Sequence, residues 1–192
     1  MKNDIVKPQL EIHRATVCLF IKQARATGDP SWVYLAIKGD KIGKGFRNGY
    51  GGKIEPNETP RQCTAREVHT ESGGVIVDPK LLRYMALGEF VTNNENGTKT
   101  VFKVNFFLAE EWIGEFRDTP EMFGGAWYPV DRLPTNELML DNREWLGEVL
   151  KNNANYERSC KSYLIEAVYG PRQESLLQPV ILTALDRRME ID

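Results

Sequence analysis

The sequence predicts an α/β protein, because β-type runs come in pairs, one strongly capped helix separates the first pair from the second, and a further helical stretch follows a later strand. Ala15 to Lys22 and Trp32 to Ile37 open the series, with Gly28-Asp29-Pro30 in the polar turn between them, and read as a hairpin. A loop follows with glycines at 39, 43, 45, 49, 51 and 52, too glycine-rich for a strand interior or a helix. Its backbone must turn sharply or approach a neighbour closely. Thr59-Pro60-Arg61-Gln62 marks a helix start: Thr59 is the N-cap, Pro60 takes the first helical position, and Gln62 closes a capping box. Gly73-Gly74 ends that helix. Leu81 to Thr92 and Lys99 to Leu108 flank the turn signal Asn96-Gly97 and predict a second hairpin. Gly124 to Val130 reads as a strand, and Asn142 to Leu150 as a helix with Trp145, Leu146 and Val149 on its apolar side. Tyr163 to Tyr169 and Leu176 to Leu185 predict a final hairpin. Helical spacing of Leu176, Leu177, Val180, Ile181 and Ala184 leaves a helix open for the second run.

A chain of 192 residues is long enough for one good hydrophobic core. One domain over 1–192 is expected, with residues 153–192 as an extension packed on it. The 25 basic and 27 acidic residues, net charge -2, lack the footprint of a protein that wraps polymeric nucleic acid. A small anion is the expected charged ligand. Cys18, Cys63 and Cys160 are odd in number and far apart, which argues against a disulfide framework or a cysteine zinc site and for a reducing cytoplasm. No apolar run has the length of a membrane span, and Met1-Lys2-Asn3-Asp4 does not begin a signal peptide.

Turned at about 100° per residue, the helix from Pro60 to Ser72 puts Ala65, Val68 and Ser72 on a small packing face. Glu67 and Glu71, four apart, stand one above the other on a different face. Two like charges at that spacing cost a lone helix a few tenths of a kcal/mol. A divalent cation reverses the sign of that interaction, and magnesium takes carboxylate oxygens with phosphate oxygens and water. A solvated helix face is the alternative for such a pair by itself.

In register around this pair stand Gly52, Glu58, Arg66, Glu67, Val68, Glu71 and Gly73. The chain thereby resembles the Nudix hydrolases, whose box reads G-x5-E-x7-R-E-U-x-E-E-x-G-U with U aliphatic. Thr70 and Gly74 depart from the pattern. The resemblance implies a Nudix fold, a mixed sheet sandwiched between helices (α/β/α). It also implies Mg²⁺, with Mn²⁺ as an alternative, held by Glu67, Glu71 and the Gly51 carbonyl, with Arg66 and Glu58 orienting the carboxylates. The implied reaction cleaves a nucleoside triphosphate to monophosphate and pyrophosphate.

The resemblance is closest to the MutT-like branch that removes 8-oxo-dGTP from the nucleotide pool. Where that branch has W-N-G-F-G-G-K, this chain has Arg47-Asn48-Gly49-Tyr50-Gly51-Gly52-Lys53. The branch's W-F-x-x-D-x-x-P and P-D-D-x-x-W segments correspond to Trp127 to Pro134 and Leu140 to Trp145. Asn48, Asp141, Asn142 and Trp127 are therefore expected at the substrate. An amide offers donors and an acceptor to a purine edge, and a buried carboxyl stays protonated and can donate. Local chemistry also allows Asn48 as a turn residue and Asp141 as an N-cap. Met139 and Asn142 replace a tryptophan and an aspartate of the branch.

Glu121, in Thr119-Pro120-Glu121-Met122, resembles the family's distal glutamate and is a candidate for indirect metal binding or for proton acceptor, the base being open between Glu67 and Glu121, with an exposed loop acid as the alternative. Lys38 is a candidate phosphate contact or a solvated strand end. Tyr50, Phe46 and Phe90 are candidates for a base-stacking wall or for core. His13 and His69 are expected at the surface, and Cys63 without a basic neighbour. The expected partner is a nucleotide, not a polymer or a membrane, for a monomer or homodimer. The departures leave open another nucleoside diphosphate-linked substrate, or a nucleotide-binding protein without catalysis.

Overall fold

Alternating burial along the first strand sets the layering of the molecule. The computed structural model describes residues 10–24, 26, 29–154 and 161–185, so Gly28 and Cys160 lie outside the described residues. Strand β1 (Leu10–Lys22) sends Cys18 and Phe20 to one face of the sheet and Leu19 and Ile21 to the other. Both faces are apolar, so both need a cover. The remaining elements are β2 (Trp32–Lys38), β3 (Arg47–Asn48), α1 (Pro60–Glu71), β4 (Arg83–Asn93), β5 (Lys99–Ala109), β6 (Met122–Pro129), α2 (Asn142–Asn153), β7 (Ser162–Tyr169) and β8 (Ile181–Leu185). The sheet runs β3-β2-β1-β5-β4-β7-β8, with β6 paired to β2. Parallel pairing of β1 with β5 and of β4 with β7 makes it mixed. Helix α1 covers one face through Val68, packed with Cys18, Phe20 and Phe107. Helix α2 covers the other with Trp145, Leu146, Val149 and Leu150 against Leu19, Ile21 and Ile165. This is the expected α/β/α sandwich.

All three expected hairpins form. The first strand starts at Leu10, five residues before Ala15, because its early part pairs with β5 from Leu10↔Lys99 onward, a long-range contact with no local signal. At the end of the chain β8 is a strand. The edge of β7 offers hydrogen bonds from Ser162 to Glu166, and Pro179 interrupts the run that would have made a helix. Helix α2 runs to Asn153, three residues past the expected end. Among the described residues no helix is long and apolar enough to cross a membrane.

The glycine loop contains a short strand that the glycine count argued against. Arg47 and Asn48 carry side chains and pair with Ile37 and Ala36. Beyond them the loop takes over the edge of β1 that β2 leaves free. Thr16 N–H donates to the Gly52 carbonyl at 2.9 Å, and Cys18 and Tyr50 exchange backbone bonds of 2.7 and 3.0 Å. The contact is close: a Cβ on Gly51 would lie 2.0 Å from the Thr16 carbonyl oxygen. Only glycine fits there.

Candidate active site

The capped start of α1 aims its acidic face at this loop. Thr59 accepts from the Gln62 N–H and the Gln62 side chain answers to the Thr59 backbone, so the capping box forms as expected. Cys63, Thr64, Val68, Glu71 and Ser72 are buried, whereas Ala65 is only half-buried. The buried face thus includes Glu71, because the loop covers that side of the helix.

Arg66 organises the first turns. Its Nε and Nη2 reach the two Glu58 oxygens at 2.8 and 2.9 Å, and its Nη1 holds Glu67 Oε1 at 2.7 Å. The Arg66 hydrogen bonds hold the Glu58 carboxyl down at about 2. Glu71, 3% exposed, accepts the Gly51 N–H at 2.8 Å and lies 3.6 Å from Lys38 Nζ. Burial raises its pKa. Lys38 and the Gly51 N–H oppose that rise, while the charges of Glu67 and Glu121 add to it. Glu121, just before β6, is tied to Lys41 Nζ at 3.1 Å. Thr70 turns away, its hydroxyl donating to the Arg66 carbonyl at 3.0 Å.

A desolvated carboxyl crowded by two others is a donor set that a hard divalent cation relieves. The Gly51 carbonyl accepts no hydrogen bond among the described residues, so it is free to add an oxygen. Among those residues no group of three His, Cys, Asp or Glu side chains is already gathered as a metal cage. The fit is to a cation that takes two carboxylates and a carbonyl and completes its shell from substrate and solvent.

Glu67, Glu71, Glu121, Lys38 and Gly51 line one cavity of about 630 Å³. Asn48, Asp141 and Asn142 line the same cavity, with Phe90, Phe102 and Phe106 as aromatic wall. Such a volume suits a small-molecule ligand. Asn48 is both turn residue and lining: its Oδ1 accepts from Gly49 N–H at 2.9 Å while its Nδ2 faces the Met139 sulfur at 3.7 Å. Asp141 stands at the N-cap position of α2 as the local chemistry allowed, but its backbone is helical and its side chain makes no cap bond. Instead its buried carboxyl accepts from Trp145 Nε1 at 3.2 Å and from the Tyr169 hydroxyl at 2.5 Å. Burial pushes its pKa up, against the pull of those two donors.

That shift has a sign in stability. A carboxyl raised in the folded state contributes stability that is full below its unfolded value, about 3.9, and is lost as pH rises through the folded value. Asp141→Asn keeps the shape and removes the charge. The melting temperature of the variant relative to wild type should therefore climb as pH rises above about 4; a pH-independent difference would show that Asp141 is not strained by its charge.

Trp127 does not line the cavity. It packs in the α1-side cluster, stacked on Trp112 at 5.8 Å with Lys22 Nζ 4.0 Å above its ring. Strand alternation explains the displacement, since the face of β6 that carries Trp127 belongs to that cluster. Tyr50 is core beside Phe20, and Phe46 meets Arg143, which leaves Phe90 as the member of that trio on the cavity. Phe102 and Phe106 carried no motif, although each lies two positions from Val104 on β5 and so on the same face. Met139, which stands where the branch has a tryptophan, also lines the cavity, as do Tyr169 and Gln173, which carried no motif. Two smaller expectations are corrected. Cys63 does have a basic neighbour, Arg66 Nη2 at 3.6 Å, but burial still raises its thiol to about 11. His13 is partly buried against Phe102 rather than simply at the surface.

Comparison with known proteins bears on both the fold and this box. The NUDIX domain model matches residues 12–151. Over 122 residues the chain is 30% identical to the oxidized purine nucleoside triphosphate hydrolase of Danio rerio, covering 64% of this chain and 74% of that protein. The Mus musculus protein of the same name is 29% identical over the same shares. Among solved structures, the mutator MutT protein of Bacillus halodurans matches with a TM-score of 0.66 at 22% identity, over 88% of this chain and 97% of its own. A MutT NUDIX hydrolase of Burkholderia pseudomallei gives 0.51 at 19%, over 65% and 88%. These structural likenesses speak to the fold. Together with the box on α1 and its glycine loop, the domain match over most of the chain shows that this protein belongs to the Nudix hydrolase family.

Proposed function

We propose that the protein is a Mg²⁺-dependent nucleoside triphosphate diphosphatase that takes an oxidised purine nucleotide, releases the monophosphate and pyrophosphate, and so cleans the nucleotide pool. The observation that carries this reading is the single cavity that joins the carboxylates of α1 and Lys38 to Asn48, Asp141 and Asn142 between phenylalanine rings. The names of the two animal relatives support the substrate class.

Magnesium held by Glu67, Glu71 and the Gly51 carbonyl would supply charge neutralisation for the phosphate chain and acidify water. The side chains do the rest. Arg66 keeps the Glu67 carboxylate oriented through its 2.7 Å bond. Lys38, 15% exposed beside Glu71, holds a phosphate oxygen as a point charge. Glu121, outside the hydrogen-bond network of the box, takes the proton from the attacking water as its oxygen bonds to phosphorus and the bond to the pyrophosphate leaving group breaks. Phe90, Phe102 and Phe106 exclude water and offer aromatic surface to the base.

The test is a panel of 8-oxo-dGTP and the ordinary dNTPs with Mg²⁺ or Mn²⁺, following pyrophosphate and monophosphate together. Preferential turnover of 8-oxo-dGTP to those two products is expected; release of orthophosphate in their place would refute the reaction. In the same assay Glu121→Gln should lower kcat about 10²- to 10⁴-fold, the range for a lost general base, with a smaller effect on KM. An unchanged kcat would assign the proton to another group.

A further inference from the structure

Resting on the reading above, we propose that Tyr169 and Gln173, beyond the family match at residues 12–151, complete the base-recognition part of the cavity. Tyr169 is the positioning residue for the Asp141 carboxyl, and Gln173 a specificity-determining contact whose free amide oxygen accepts from the N7–H that the 8-oxo purine carries and the ordinary purine lacks.

The sheet brings them there. Parallel pairing sets Tyr169 opposite Thr92, so the end of β7 comes to the end of β4. Tyr169, 1% exposed, donates its hydroxyl to Asp141 Oδ1 at 2.5 Å while Trp145 Nε1 donates to Oδ2 at 3.2 Å. With a donor on each oxygen, the plane of the carboxyl is locked. Trp145 reaches only Oδ2, so the tyrosine fixes the Oδ1 end and with it which lone pair, or which proton, faces the cavity.

Gln173 is held by different means. Its Nε2 donates to Thr92 Oγ1 at 3.0 Å, and the other end of the amide has no partner among the described residues. The backbone is bent to achieve this: Arg172 and Gln173 have φ of 55° and 60°, in the left-handed region that L side chains disfavour. Bonds from Gln173 N–H to the Gly170 carbonyl, 3.2 Å, and from Glu174 N–H to the Pro171 carbonyl, 3.3 Å, hold the turn. A non-glycine pair kept in that region marks a place where the surroundings enforce an orientation. Here the enforced orientation puts a half-satisfied amide on the cavity wall.

The experiment compares wild type with Tyr169→Phe and Gln173→Ala. Two readings are taken: kcat and KM on 8-oxo-dGTP and dGTP, and metal-free binding of 8-oxo-dGMP and dGMP by calorimetry. Each variant should raise KM for the preferred base about tenfold, more than it lowers kcat, and shift the 8-oxo-dGTP to dGTP ratio of kcat/KM. Monophosphate affinity should fall in parallel. A base ratio and monophosphate affinities that match wild type in Gln173→Ala overturn the contact role; the same result in Tyr169→Phe, or an equal loss for both bases, overturns the positioning role. If Tyr169→Phe does not fold, Gln173→Ala decides the contact role and Asp141→Asn the positioning role: an Asp141→Asn base ratio and monophosphate affinities that match wild type overturn it. If wild type hydrolyses no triphosphate, the diphosphatase reading has failed, and the monophosphate affinities still decide the role of the two residues. A wild type that binds neither monophosphate overturns both.

Discussion

Replacing Glu71 with Gln should lower kcat for triphosphate hydrolysis by about two to three orders of magnitude, the scale on which a preorganised charge at a reacting phosphate contributes. The substitution is nearly isosteric and keeps an oxygen for the Gly51 N–H that now donates to it at 2.8 Å. It removes a buried negative charge whose pKa burial has raised, so the cation-free variant should melt no lower than wild type. Wild type should gain melting temperature on adding Mg²⁺ or Mn²⁺, as any protein does with a ligand that binds only its folded form. The variant should lose that gain. An equal gain in Glu71→Gln, together with undiminished turnover, would remove Glu71 from the metal site.

Gly51→Ala should be among the most damaging single methyl groups that the described residues could receive. The new Cβ would stand 2.0 Å from the Thr16 carbonyl oxygen and 2.8 Å from Val17 Cα, both backbone, so the loop must leave the edge of β1. Overpacking of this kind costs about 1–3 kcal/mol, and here it also breaks the alignment of the N–H that holds Glu71. Gly52→Ala is the instructive contrast. Its Cβ would meet Glu67 Oε1 at 2.3 Å, the far end of a side chain that can swing away. Gly51→Ala should therefore lose both stability and activity, Gly52→Ala mainly activity. Thermal melts read beside kcat separate the two; a Gly51→Ala protein as stable as wild type would mean that the loop does not lie on β1 as described.

Local patterns carried the reading furthest where the physics is local. The capping box at Thr59 and Gln62, the four-residue spacing of Glu67 and Glu71, and the turns at Asn96-Gly97 and Gly73 depend on near neighbours, and each stands where the residues predicted. Ten residues singled out from the sequence illustrate the limit. Glu67, Glu71, Glu121, Gly51, Lys38, Asn48, Asp141 and Asn142 share one cavity, Arg66 reaches it through its bond to Glu67, and Trp127 belongs to another cluster. Motif and spacing say that a tryptophan sits near a strand end. They do not say which face of the sheet it joins, because that depends on what the other strands leave uncovered.

From its sequence alone this chain determined its class of fold, its family resemblance and the order of chemistry along one helix and one loop, all encoded within a few turns or residues. Tertiary structure alone decided the company those residues keep: that Asp141 is held by a tyrosine from the last hairpin, and that β8 is a strand. Contacts between residues tens of positions apart form only when β4 and β7 lie side by side, and no local pattern records which strands will meet.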